Sequence, residues 1–403
     1  MIAPMTIMMI VIFAILVMLS VPIAWSLGLS ALIAILLVNG PYHIAFLASR
    51  LYNASNSFIL MSLPFFILAG NIMSKGGLSR RLLDFCKILI GTRKGGLGVV
   101  TMLTALFFSA ISGSNAATTA AVGGMVIPEL KEEGYPEDFS AATVAAAGVT
   151  GMVIPPSSAM VVYAATAGAS LPALFMAGII PGIFMSVTIM AVVLILSRKM
   201  VLRSRKEICQ KSKKKIFINA IGALMMPVIV LGGIYTGVFT ATEAAAVACV
   251  YALIITVLVY RDIRLRQLPR IVWESAIVSA VGMGVIICAS LFGYVLILEH
   301  VPEQLCEMFL SFTDSRLVTL LVINIILLLA GCVMTPNSAI IILVPILMPI
   351  CASFGINPVA IGVIIVMNLS IGAITPPVGG DVFIASSIAK IPIEKIFRRI
   401  ICF

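Results

Sequence analysis

The chain has 403 residues, of which 61% are hydrophobic and only 10% charged, against about 45–50% and about 25% in soluble domains. That much apolar surface cannot be hidden from water, which excludes a soluble globular fold and leaves an all-α polytopic membrane protein with the lipid bilayer as its solvent. The net charge of +10 is not a nucleic-acid signal, because it is bundled beside apolar runs: six Lys or Arg in 75–94, nine in 198–215, four in 261–270 and four in 390–399. Such clusters set orientation by the positive-inside rule, and no nucleic-acid partner is expected.

In chain order, residues 1–94 read as scaffold helices and an amphipathic arm, with spans at 3–20, 22–39 and 56–73 and a basic amphipathic segment at 77–92. The apolar start lacks a basic leader and a small-residue cleavage site, so it reads as a retained span. Residues 95–197 form a first transport repeat. It has a hairpin at 95–130 interrupted by Ser112-Gly-Ser-Asn115, a broken helix at 138–170 split at Pro155-Pro156, and a span at 174–197. Residues 198–316 return to scaffold: a basic loop, spans at 216–235, 240–260 and 271–298, and a second arm rich in Glu299, Glu303 and Glu307. Residues 317–403 form a second repeat, with a hairpin at 317–353 interrupted near Thr335-Pro-Asn337 and a broken helix at 358–389 split at Pro376-Pro377.

The two repeats share their spacing. From Pro128 to Pro155 and from Pro349 to Pro376 is 27 residues in each case. Consecutive prolines cannot sit inside a helix, and Ser, Gly and Asn favour turns. If each interrupted run is a re-entrant hairpin and each Pro-Pro segment crosses once, every basic cluster falls on the cytoplasmic side. The second repeat then enters from the opposite face, an inverted repeat. The freed carbonyls at mid-membrane depth must face protein, water or an ion. A dehydrated cation takes carbonyl, hydroxyl and amide oxygens, and half-helix N-termini attract an anion. A lone Pro or Gly kink would be ordinary packing, but two copies at matched spacing point to a binding site.

Charges within apolar stretches are few. Asp381 lies just past Pro376-Pro377, and an intramembrane carboxylate suggests function, with a pore-facing group near a helix end as the alternative. Glu243 and Glu274 read as first-turn acids, His43 and His300 as interfacial, and Lys87 and Arg93 as snorkelling or headgroup-contacting. Eight scattered cysteines without a C-x-x-C give neither a metal site nor a disulfide framework. No H-E-x-x-H, G-x-S-x-G or Walker loop is present, so an enzyme is not expected.

The runs Ser112-Gly-Ser-Asn-Ala-Ala-Thr-Thr-Ala-Ala, Val126-Ile-Pro-Glu-Leu, Gly151-Met-Val-Ile-Pro-Pro-Ser and Thr375-Pro-Pro-Val-Gly379 resemble the large membrane subunit of TRAP (tripartite ATP-independent periplasmic) transporters, the DctM-like family. The resemblance covers nearly the whole chain. It implies an elevator-type, Na+-coupled importer of a small organic acid anion, such as a C4-dicarboxylate or sialic acid, in the bacterial inner membrane. It also implies a small four-helix membrane subunit and a periplasmic substrate-binding protein as partners. One Na+ would lie around Ser112, Asn115, Gly151, Ile154 and Pro156, and a second around Met334, Asn337, Gly372 and Thr375. Ser114, Ser157, Asn337 and Asp381 would face the substrate.

Three departures stand out. Thr335 occupies a position where the family often has an acidic residue, and Asp381 one where Asn is common. The resemblance also leads to a last helix after Pro392-Ile-Glu-Lys-Ile-Phe397, while the sequence reads to Phe403. A single-component Na+/dicarboxylate symporter of related architecture, and a truncated inactive copy, are therefore the alternative readings. A channel or a membrane-embedded enzyme is a more distant one.

Overall fold

The structure is a computed structural model describing residues 4–39, 44–90, 95–198, 200, 202, 213–312 and 315–403. His43, Arg93 and most of the basic loop at 198–215 lie outside the described residues. Among the described residues there are helices and no strands. Their order begins α1 (Pro4–Met18), α2 (Ile23–Asn39), α3 (Ile44–Ser55), α4 (Ser62–Lys75) and α5 (Leu78–Ile90). The first repeat contains α6 (Gly96–Ser112), α7 (Asn115–Glu132), α8 (Glu137–Gly148), α9 (Thr150–Val153), α10 (Ser158–Ala167) and α11 (Leu171–Ser197). Then come α12 (Lys213–Tyr235), α13 (Ala241–Leu253), α14 (Leu268–Leu298) and α15 (Val301–Phe312). The second repeat contains α16 (Arg316–Val333), α17 (Pro336–Ser353), α18 (Pro358–Gly372), α19 (Gly380–Ala389) and α20 (Ile393–Ile400).

Among the described residues six helices are long and apolar enough to cross a membrane, or seven if α8–α9 and α10, bent by 41° at the first Pro-Pro, count as one. Each repeat is a hairpin, α6–α7 or α16–α17, lying against a broken helix, α8–α9/α10 or α18/α19. The far half of each broken helix crosses over: α10 packs on α17, and α19 packs on α7 and α8. The two repeats are thereby interlocked into one body. Around it, α4 packs on α13 and α14, α2 on α1 and α14, and α12 on α5 and α13. In lipid, helix association depends on close packing rather than on expelling water. The α4–α13 seam has the small side chains for it, with Ala69, Ala244, Ala245, Ala248 and Ala252 all buried.

Several ion pairs involve residues of the basic clusters or their neighbours. Lys75 pairs with Glu274, Arg81 with Asp262 at 2.6 Å and Lys87 with Glu129 at 2.7 Å. Lys131 pairs with Glu137 at 3.0 Å, and Arg399 with Asp138 at 3.4 Å. The start of α6 meets the close of α11, where a side chain on Gly95 would touch Ser197 Oγ. The first hairpin thus begins and ends beside basic clusters.

Several local expectations change. As a lone proline permits, α7 runs through Pro128 to Glu132, and α17 runs through Pro345 and Pro349. One missing N–H is a local defect that neighbouring helices can cover in a membrane protein, whereas two consecutive prolines are not. Helix α3 fills a stretch to which the sequence assigned nothing, because Ser49, Arg50 and Asn53 interrupt its apolar run. Glu243 does cap α13, in a reciprocal box with Thr240. Glu274 is past the first turn of α14, which starts at Leu268, and is held instead by Lys75 and, at 3.0 Å, by Arg270. Lys87 does not snorkel; it anchors α5 to Glu129 of the first hairpin. His300 is exposed between α14 and α15.

Candidate functional site

The hairpin tips rest on the Pro-Pro breaks. Ser114 caps α7, accepting from the Ala117 amide at 3.5 Å, and Ser157 caps α10, accepting from the Met160 amide at 3.3 Å. The tip carbonyl of Gly113 accepts from both the amide (3.0 Å) and the hydroxyl (2.9 Å) of Ser158, just past the first break. In the second repeat the Cys332 carbonyl accepts from the Val378 amide at 3.2 Å. Both Pro-Pro bonds are cis.

Two equivalent glycines make room for the tips. A Cβ on Gly151 would lie 2.5 Å from the Ser114 carbonyl oxygen, and one on Gly372 would lie 2.6 Å from Gly331 Cα. Both obstacles are backbone, so neither can swing aside.

One tip also reaches across to the other repeat. Asn115, 3% exposed, donates from Nδ2 to Ser370 Oγ on α18 at 2.9 Å, and Ser370 donates to the Val149 carbonyl at 2.9 Å. Asn115 also borders Asp381. Behind the first tip, Ser109 and Thr150 hydroxyls meet at 2.7 Å and Ser112 and Thr118 hydroxyls at 2.8 Å.

Between the tips is a cavity of about 310 Å³. The first residues of four half-helices line it: Ser114 and Asn115 at α7, Ser158 at α10, Pro336 and Asn337 at α17, Gly380 and Asp381 at α19. Helix starts carry partial positive charge, and four such ends converging on one cavity favour an anion.

Of the residues expected at the substrate, Ser114, Asn337 and Asp381 line this cavity. Ser157 does not: it is 1% exposed and spends its hydroxyl on capping, while its neighbour Ser158 takes the lining position. Of the residues expected at cations, Asn115, Met334 and Asn337 line it too. Ser112 is bound to Thr118; Gly151, Ile154 and Pro156 are buried behind the first tip. Gly372 touches Gly331, and Thr375 donates to the Ile371 carbonyl at 2.9 Å. The second break is the more open, with Pro376, Pro377 and Val378 exposed where Pro155 and Pro156 are buried. Thr335 and Asp381, the two departures in sequence, line the same cavity from different elements. Ser370 escaped the sequence reading; its signal was a polar pair, Asn368 and Ser370, in the otherwise apolar α18.

A larger cavity, about 620 Å³, lies away from the tips between α3, α14 and α17. Arg50, Ser290, Tyr294 and Met348 line it, with the Arg50 guanidinium 4.8 Å from the Tyr294 ring centre.

The model of the tripartite ATP-independent periplasmic transporter DctM component matches residues 10–403. The chain belongs to this family. It is accordingly a multi-pass protein of the bacterial inner membrane. Among its relatives, the isethionate TRAP transporter permease protein DctMQ of Oleidesulfovibrio alaskensis is 43% identical over 393 residues, 96% of this chain; the chain spans 61% of that relative's length. The C4-dicarboxylate TRAP transporter large permease protein DctM of Pseudomonas aeruginosa is 41% identical, covering 93% of this chain and 87% of its own. The sialic acid TRAP transporter large permease protein SiaM of Vibrio cholerae is 33% identical over 94% and 89%. Among solved structures, the YdaH transporter of Alcanivorax borkumensis, described as having an unusual topology, aligns with a TM-score of 0.64 at 15% identity, over 90% of this chain and 85% of that one. At that identity the likeness is one of fold.

Proposed function

We propose that this TRAP permease imports a small organic acid anion together with Na+, the cargo being bound between the two hairpin tips. The observation that carries the reading is the cavity into which four half-helix N-termini from both repeats converge. Those ends would hold the carboxylate or sulfonate of the cargo, with Ser114 and Asn337 donating hydrogen bonds. The relatives' cargoes, C4-dicarboxylate, sialic acid and isethionate, are all of this class. Cations would be held by neutral oxygens at the tips: around Ser112, Asn115, Gly151, Ile154 and Pro156 in the first repeat, and Met334, Asn337, Gly372 and Thr375 in the second. Oxygen-rich, formally neutral surroundings suit an alkali ion. A bound cation supplies positive charge that strengthens binding of the anion beside it.

The interlocked repeats would slide as one body against α2, α4, α13 and α14, carrying the cavity from one face to the other. A small four-helix membrane subunit and a periplasmic binding protein are the partners in this reading. Reconstitution into proteoliposomes tests it. Uptake of malate, sialic acid or isethionate is expected only with a Na+ gradient and with both partners. Uptake from free substrate by this chain alone would favour a single-component symporter, and uptake indifferent to replacing Na+ by choline would remove the coupling ion.

A further inference from the structure

Asp381 does not fit an anion site. Its side chain is 3% exposed, its Oδ2 has no hydrogen-bond partner, and it lines the cavity between the tips. Asn337, on the opposing hairpin, lines the same cavity with an Oδ1 that is also unpartnered. No Lys, Arg or His is among the described residues that line it. Two oxygen acceptors, one of them on a carboxyl group, therefore share this cavity with no positive side chain. Leaving them unmet costs free energy, and an anionic cargo entering beside the carboxylate would add repulsion. The α19 N-terminus offsets part of the charge, but its amides do not fill the lone pairs of Oδ2.

We propose that the side-chain oxygens of Asp381 and Asn337 form a subsite for a positively charged ligand group inside the cargo cavity, adjoining the neutral cation site at the second tip. The group is either a sodium ion or an ammonium carried by the cargo itself. The inference rests on reading this cavity as the cargo site. In the first case the permease takes up one more cation per anion than its neutral oxygens alone would hold. In the second it prefers amino acids or aminosulfonates to their hydroxy counterparts.

The test uses the purified full chain in detergent and follows thermal unfolding. In one arm sodium chloride replaces choline chloride at constant ionic strength. In the other, aspartate is compared with malate and taurine with isethionate. Wild-type protein is expected to be stabilised by sodium in the first arm or selectively by the amino compounds in the second. Asp381→Asn should raise the half-saturating concentration of that ligand by about tenfold or more. Asn337→Asp, which adds a carboxylate, should lower it. A sodium response that depends on Asp381 identifies the metal, and an amino preference that depends on Asp381 identifies the ammonium. Equal responses of wild type and Asp381→Asn in both arms, or a change only in the pH dependence of unfolding, overturns the proposal. Because this readout needs no uptake, a chain that transports nothing yet loses its ligand response in Asp381→Asn keeps the subsite and loses the transport reading.

Discussion

At the scale of single residues, the site depends on polar groups whose partners are distant in sequence. Asn115 makes its buried hydrogen bond with Ser370, 255 positions away. Removing that hydroxyl leaves a buried amide donor unmet, at a cost of about 1–3 kcal/mol. Ser370→Ala should therefore lower the thermal midpoint in detergent and weaken the sodium dependence of uptake, whereas Ser370→Thr should retain most of both. An unchanged midpoint would mean that the amide finds water instead. The asparagines at the tips were legible in sequence because they interrupt apolar runs. Ser370 was not, because one hydroxyl in a membrane helix usually bonds to its own helix backbone and only three-dimensional packing turned this one outward. Ser157 shows the converse: its position pointed to the cargo, while its local chemistry committed it to a helix end.

At the scale of elements, the Pro-Pro breaks and the hairpins followed from local rules, since no neighbour can restore a helix through two prolines. Single prolines behave differently, because tertiary packing covers one lost hydrogen bond and α7 and α17 continue through theirs. What local rules do not give is how closely hairpin and broken helix approach. Gly372→Ala would place a methyl 2.6 Å from Gly331 Cα and should cost about 1–3 kcal/mol as the tip is forced outward. Gly124→Ala, on α7 with nothing within 4 Å of the new Cβ, should be neutral or stabilising by up to about 1 kcal/mol. Thermal unfolding of the two variants side by side checks the contrast, and equal midpoints would show that the tip yields.

At the scale of the whole molecule, the matched spacing of the two motifs located both hairpins and both broken helices, but the exchange of α10 and α19 between them had no sequence signal. That exchange makes one body of both repeats, which touches the surrounding helices at α14–α17, among other places. A Cβ on Gly293 of α14 would lie 3.8 Å from Pro345 Cβ of α17, close to the separation that a disulfide spans. In Gly293→Cys/Pro345→Cys protein, oxidation should abolish uptake and reduction restore it, with cargo binding retained throughout. Transport that persists in the oxidised form would rule out sliding at this seam. The same interlocking bears on how the protein is made. When the ribosome has finished the first repeat, Asn115 is already committed to the bilayer while Ser370 has yet to be synthesised. Until the second half is made, the Asn115 amide depends on another partner, such as water.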